Sequence, residues 1–213
     1  MNKEHKEVEL KLTIPKDKHK GFIEFMGVVN HAVFVKREQL KNDYFDTSSL
    51  QLSRLKVGLR IRQADSYKEQ TLKTAGEVCD GMHVRHEYNH AIEGNIPKLD
   101  LFPNLIWPDN CDVKRIQQAL ICLFNTNFIR HTWRVELDGS QFEVVLDDGE
   151  VASDFSGVER KIPISEVELE LISGDSEALV KFAQPLIDRF KLEKCEISKA
   201  QRGYGLLEKS HKK

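Results

Sequence analysis

The chain has 213 residues, with 34 acidic and 32 basic side chains and a formal net charge of −2. Such a balance argues against a broad nucleic-acid surface, and no stretch approaches the ~20 apolar residues of a membrane span. The amino terminus, MNKEHKEVELK, has no apolar signal-peptide core, and Cys79, Cys111, Cys122 and Cys195 are scattered without a CxxC pair. A cytoplasmic protein with free thiols is expected.

Residues 4–14 predict a strand closed by Pro15, with Glu7, Glu9 and Lys11 on one face and Val8, Leu10 and Leu12 on the other. The faces separate because successive strand side chains point in opposite directions. A helix follows, with Phe22, Phe25, Met26 and Val29 on one stripe. Residues 32–46 read as one or two extended segments ending in NDYFDT. GLRIRQ (58–63) and EQTLKT (69–74) alternate strictly around a polar loop and predict a hairpin. Residues 82–92 alternate again, with His83, Arg85, Glu87 and Asn89 opposite Met82, Val84, His86, Tyr88 and His90. HEYNH (86–90) matches the HExxH zinc pattern in letters, but that chemistry needs a helix, and this segment reads as a strand.

Residues 97–110, with three prolines, predict a long loop, followed by a helix burying Ile116, Leu120, Leu123 and Phe124. Residues 128–137 and 141–147 form the next hairpin about Asp138-Gly139, and Asp148-Gly149 signals a second turn. Residues 161–172 are the last long strand, whose EVELEL run sets Glu166, Glu168 and Glu170 on one face. Leu179, Phe182, Ala183, Leu186, Ile187 and Phe190 then mark the clearest helix. Ser198 to Gln201 fits a capping box opening a short C-terminal helix. The expectation is one α+β domain over residues 1–207, with a basic tail at 208–213.

Carried through every strand, the alternation gathers Glu7, Glu9, Glu87, Glu143, Asp147, Glu166, Glu168 and Glu170 on charged faces with Lys11, Arg60, Arg62, Lys73, Arg85 and Arg130. The opposite faces are apolar and suit amphipathic helices. Burying so many charges in a dry interior would cost several kcal/mol each. The predicted solution is an antiparallel β-barrel of about eight strands, charged and wet inside, with helices packed outside. Clustered carboxylates suit hard divalent cations and clustered Arg and Lys suit phosphate oxygens. Together they are what phosphoryl transfer needs.

The ExExK run at Glu7–Lys11 resembles the signature of the CYTH superfamily, the triphosphate tunnel metalloenzymes. So do YFDT (44–47), GLRIR (58–62), GMHVRHEYN (81–89), FIRHTW (128–133), DGSQFEVVLDDGEV (138–151), EVELELISGD (166–175) and SKAQRGYGL (198–206). The likeness is nearest to the bacterial inorganic triphosphatase branch. It implies an eight-stranded tunnel that hydrolyses tripolyphosphate to diphosphate and phosphate with Mg²⁺ or Mn²⁺. By this resemblance Glu7, Glu9, Glu168 and Glu170 are metal ligands, assisted by Asp147 and Glu143. Lys11, Arg60, Arg62, Lys73, Arg85, Arg130 and Lys199 hold phosphate oxygens. Glu7, Glu9, Lys11 and Asp147 form the catalytic set, orienting the water that attacks the terminal phosphorus.

Two features depart from the branch. Thr132 stands where a second basic residue is often found, and the helical CHAD domain that often follows is absent from these 213 residues. The resemblance also leaves open a class IV adenylate cyclase or a thiamine triphosphatase on the same scaffold. Beyond enzymes, it admits a module that binds polyphosphate or nucleoside triphosphate without turnover. The expected partner is a small-molecule triphosphate, with neither nucleic acid nor membrane.

Overall fold

The computed structural model describes residues 3–65, 67–155 and 157–208; residues 209–213 of the expected basic tail lie outside this set. In chain order the elements are β1 (Lys3–Thr13), α1 (His19–Met26), β2 (Ala32–Asp46), α2 (Gln51–Arg54), β3 (Gly58–Gln63), β4 (Lys68–Cys79) and β5 (Met82–Ala91). Then come α3 (Val113–Gln118), β6 (Ile121–Leu137), β7 (Ser140–Ser153), β8 (Arg160–Ser173), α4 (Glu177–Phe190), β9 (Glu193–Lys194) and α5 (Lys199–Glu208). The strands run in the order β5-β4-β3-β2-β6-β7-β8-β1, and pairing of β5 with β1 closes them into an antiparallel barrel. β9 is a two-residue addition to the end of β1. The architecture is the expected α+β barrel.

Alternation works as predicted on the outside of this barrel. Leu10, Leu12, Trp133, Val135, Phe142, Val144, Val167 and Leu169 form one core with α1 and α4. Phe22 meets Trp133 and Phe190 edge-on, at 6.0 and 5.3 Å between ring centroids. Each such buried side chain contributes roughly 1.5–3 kcal/mol. A second core sits over β3, β4 and β5, where Leu59, Ile61, Leu72 and Tyr88 are covered by Leu52, Leu99, Phe102, Trp107 and Ile116.

A third core departs from the predicted layout. Leu40, Phe128, Val151 and Ile164 share strand parity with the charged lining, so they point inward. They are covered by Leu206 and Leu207 of α5. The C-terminal helix therefore plugs one end of the barrel instead of packing outside it. Its start is the predicted capping box, since Gln201 Oε1 accepts from Ser198 N at 2.8 Å and Ser198 Oγ accepts from Gln201 N at 3.1 Å.

Other local expectations are corrected. Asp138 and Gly139 turn the β6–β7 hairpin with φ of 51° and 76°, the left-handed pair that such turns demand. Asp148-Gly149 is not a turn, because β7 runs through it to Ser153. Gly149 is there for close approach: a Cβ would lie 2.5 Å from Phe128 Cα and 2.1 Å from Asn127 O. The helix expected to bury Leu123 and Phe124 ends at Gln118, and both residues belong to β6. A short apolar run fits helix and strand alike, and pairing with β2 decides it here. Val29 falls beyond α1, residues 32–46 form one strand, and the 97–110 loop contains two short 3-10 turns.

Candidate active site

The barrel encloses a cavity of about 560 Å³. Glu7, Glu9, Lys11, Arg60, Arg62, Lys73, Arg85, Arg130, Glu168, Glu170 and Lys199 all line it, together with Glu87. Antiparallel register places them: Glu9 lies opposite Glu170, Lys11 opposite Glu168, and Glu7 opposite Arg85. Among the described residues the lining carries eight cationic side chains against six carboxylates, with Asp147 and Glu166 buried behind it, so the surface that faces the cavity favours a polyanion.

Two clusters are built from this lining. In the first, Arg130 donates to both oxygens of Asp147 at 2.7 Å and to Glu168 at 3.0 Å. Lys199 reaches Asp147 at 2.8 Å, Glu168 at 2.8 Å and Glu166 at 3.0 Å, while Lys11 binds Glu168. Burial pushes the Glu168 and Asp147 carboxyls up, but the surrounding cations outweigh it and hold both below the usual range. In the second, Lys73 bridges Glu7 at 2.6 Å and Glu87 at 2.5 Å, and Arg85 reaches Glu7 at 2.7 Å and Glu9 at 3.3 Å. Burial raises Glu7 too, and Lys73 with Arg85 brings it down.

Three predicted acidic positions sit differently. Asp147 and Glu166 are fully buried behind the lining and meet cations, Asp147 through Arg130 and Lys199, and Glu166 through Lys199 and Arg202. Glu143 shares a register row with Glu170, yet it is half-exposed and bound to Arg134 at 2.7 Å. The histidines of HEYNH lie on β5, with His90 packed edge-on against Phe102 outside the tunnel.

Several participants escaped the sequence reading. Tyr44 lines the cavity and presents its hydroxyl to Arg60, which, with Lys199 and Arg62, outweighs burial and lowers the phenol pKa. Asn42 accepts from Arg62 Nε at 2.9 Å. Asp46 is fully buried and collects the backbone N–H groups of Thr47, Leu52 and Ser53 and the Tyr204 hydroxyl. It thereby fixes α2 and α5 at the cavity. Strand parity flagged the NDYFD run as extended, but only the register with β3 reveals what Asn42 and Tyr44 face.

The donor set suits a hard divalent cation. Glu7, Glu9 and Glu168 are nearly inaccessible, and carboxylate oxygens are the ligands such ions take. Glu170 shows the surplus: burial, then the charges of Glu7 and Glu9, push its pKa up to about 7. Among the described residues, no three acidic, histidine or cysteine side chains converge as an ion cage. Their oxygens are turned to internal lysines and arginines, so these carboxylates must release their ammonium and guanidinium partners to hold a metal.

The sequence profile of the CYTH domain family matches residues 5–204. An inorganic triphosphatase of Haemophilus influenzae is 37% identical over 166 residues, covering 78% of this chain and 45% of that protein. The chain thus spans about half the length of this relative. Among solved structures, a proposed adenylyl cyclase from Hippeastrum with a dominant triphosphatase activity superposes with a TM-score of 0.67 at 18% identity, covering 93% of this chain and 95% of that one. A Pyrococcus horikoshii protein gives a TM-score of 0.56 at 19% identity, over 95% and 99% of the two chains. At such identities the structures share the fold alone. The profile spans nearly the whole chain, tunnel included, and the chain belongs to the CYTH domain family.

Proposed function

We propose that the tunnel hydrolyses inorganic tripolyphosphate to diphosphate and phosphate, with Mg²⁺ or Mn²⁺ as the divalent cation implied by the family. The observation that carries this reading is the enclosure of clustered carboxylates and an excess of cations in one cavity plugged by α5. The Haemophilus influenzae relative is an inorganic triphosphatase, which supports it. Glu7, Glu9, Glu168 and Glu170 would hold the cation, whose chemistry is to neutralise phosphate charge and acidify water.

The chain's own groups then have defined tasks. Lys11, Arg60, Arg62, Lys73, Arg85, Arg130 and Lys199 grip phosphate oxygens and keep the chain in line for attack, since phosphoryl transfer is mostly positioning and charge neutralisation. Asp147 orients Arg130 by its two-point contact. Carboxylates freed from their internal partners align the attacking water.

The inorganic substrate is favoured over a nucleotide or thiamine ester by the aromatic lining. Tyr44 is stacked on Phe124 at 4.7 Å, and Tyr204 meets the same ring edge-on. Among the described lining residues these are the only aromatic rings besides His83, and His83 is tied to the Cys195 carbonyl at 3.0 Å. Both tyrosines of the described lining are thus packed on Phe124 instead of standing apart as a stacking platform for a base or thiazolium ring.

The test is phosphate release from tripolyphosphate, ATP and thiamine triphosphate in parallel, with Mg²⁺, Mn²⁺ or chelator. Metal-dependent release from tripolyphosphate is expected, and Glu9→Gln should abolish it while anion binding persists. Cyclic AMP or thiamine diphosphate in place of that release would overturn the substrate. Equal turnover by wild type and Glu9→Gln would overturn the metal assignment, and silence on all substrates would favour a binding module.

A further inference from the structure

Arg60 and Arg62 differ from the other tunnel cations in what holds them. Lys11, Lys73, Arg85, Arg130 and Lys199 each touch a carboxylate. Among the described residues, no carboxylate lies within the 4.0 Å of an ion pair to Arg60 or Arg62. Arg62 instead donates through Nε to the amide oxygen of Asn42 at 2.9 Å, and Asn42 Nδ2 donates to Thr126 Oγ1 at 2.9 Å. Arg60 faces the Tyr44 hydroxyl, its own Nε has no hydrogen-bond partner, and Glu87 and Glu7 act on it only from beyond ion-pair distance.

Register produces this arrangement. Arg62 lies opposite Asn42 and Arg60 opposite Tyr44 across β3 and β2, while Asn42 lies opposite Thr126 across β2 and β6. Asn42 is 1% exposed and Thr126 0%, so the amide is held at both ends. Commitment of its NH₂ to Thr126 leaves the carbonyl oxygen for Arg62. A neutral acceptor aims a guanidinium without neutralising it. An aspartate at this position would aim it equally well and pair with its charge.

We propose that Asn42 is a positioning residue that keeps Arg62, beside Arg60, as a metal-independent landing site for a phosphate chain. The inference rests on the triphosphate reading of the tunnel. The carboxylate-paired cations meet a phosphate oxygen with their charge already compensated by a carboxylate, whereas these two arginines have no such ion pair. The anion therefore lands on the β2–β3 wall, and the paired cations exchange partners afterwards.

The test is calorimetric titration of tripolyphosphate into chelator-treated protein over a series of salt concentrations, with circular dichroism to establish folding. Wild type binds. Asn42→Asp, nearly isosteric and still an acceptor, binds about tenfold more weakly or worse. Its salt dependence is shallower, because one fewer free charge is engaged. Asn42→Ala also binds more weakly but keeps the wild-type salt dependence. Thr126→Val, which loosens the amide without altering any charge, weakens binding in the same direction and carries the test should Asn42→Asp not fold.

Wild-type affinity and salt dependence in Asn42→Asp, or wild-type affinity in Thr126→Val, would overturn the role of Asn42. A wild type that binds no tripolyphosphate in chelator but releases phosphate from it with Mg²⁺ overturns the landing site and leaves the hydrolase standing. A wild type that does neither overturns both.

Discussion

The β1–β8–β7 wall of the tunnel and the β2–β3 wall hold their cations by opposite means. On the first, Lys11, Arg130 and Lys199 are enclosed by Asp147, Glu166 and Glu168. On the second, Arg60 and Arg62 are steadied by a phenol and an amide. A fully buried cation cannot be left unpaired, because the uncompensated charge costs several kcal/mol. Arg60 and Arg62 are only partly buried, so water offsets part of that cost. Exposure of the cations is not what separates the walls, since Lys73, Arg85 and Arg130 are half-buried too and still pair with carboxylates. The deep wall is deep in its acids, with Asp147 and Glu166 fully buried, and the shallow wall has only neutral acceptors. One wall is stable until exchanged, and the other is ready for an anion.

The sharpest way to break this contrast is Asp147→Asn. Asp147 is fully buried and neutralises Arg130 and Lys199 together. Loss of its charge leaves the buried Lys199 and the half-buried Arg130 without their shared partner, to rely on Glu168 and Glu166. Urea denaturation should show a loss of about 3–5 kcal/mol, as for other broken buried pairs. Added tripolyphosphate should recover more stability in this variant than in wild type, since the anion supplies the missing charge. A loss below about 1 kcal/mol would mean that ion pairing does not hold the deep wall.

Glu170 tests the acidic side of the same wall. Its carboxyl titrates at about 7 in the fold against 4.5 in the unfolded chain, so between these values the folded state keeps a proton that the unfolded state has released. Its contribution to stability is therefore fully present below about pH 4.5 and lost as pH rises through 7. Denaturation of chelator-treated protein, taken as wild type minus Glu170→Gln, should fall by at most about 1.4 kcal/mol per pH unit across this window. Subtraction matters because Glu7, Asp147 and Glu168 are shifted downward and give the opposite slope at lower pH. A flat difference would place Glu170 away from the repulsion of Glu7 and Glu9.

How much of this could be read without coordinates depended on whether a signal was local. Strand parity is local, so Glu7, Glu9, Lys11, Arg60, Arg62, Arg130, Glu168 and Glu170 could be assigned to one lining from the sequence. Parity does not say how deep a residue lies. Asp147 and Glu166 have the right face but sit behind the cavity, and Glu143 has the right row but turns to Arg134. Register is not local at all. The partnership of Asn42 with Arg62 needs β2, β3 and β6 aligned to the residue. The α5 plug was equally hidden, because its apolar stripe fits an outer groove or an inner end equally well. Gly149 misled for a related reason: glycine serves a turn and a close strand contact alike.

The smallest effect should come where the two walls meet, at Gly203 of α5. A Cβ there would lie 2.1 Å from Phe124 Cε2 and 2.2 Å from Cδ2. Phe124 cannot retreat freely, because it is 2% exposed and stacked on Tyr44. Gly203→Ala must therefore lift α5 or tilt the ring, at about 1–3 kcal/mol, the range of overpacking costs. Lifting α5 would draw Lys199 from Asp147 and Glu168 and disturb the deep wall. Tilting Phe124 would move Tyr44 from Arg60 and disturb the shallow one. The two are separable by measurement: the first lowers urea stability with metal-free tripolyphosphate affinity intact, and the second lowers that affinity with little loss of stability. Adding Phe124→Leu should relieve the clash, so the double variant should be more stable than additivity predicts. Strict additivity would show that the helix does not press on this ring, and that the plug leaves the two walls independent.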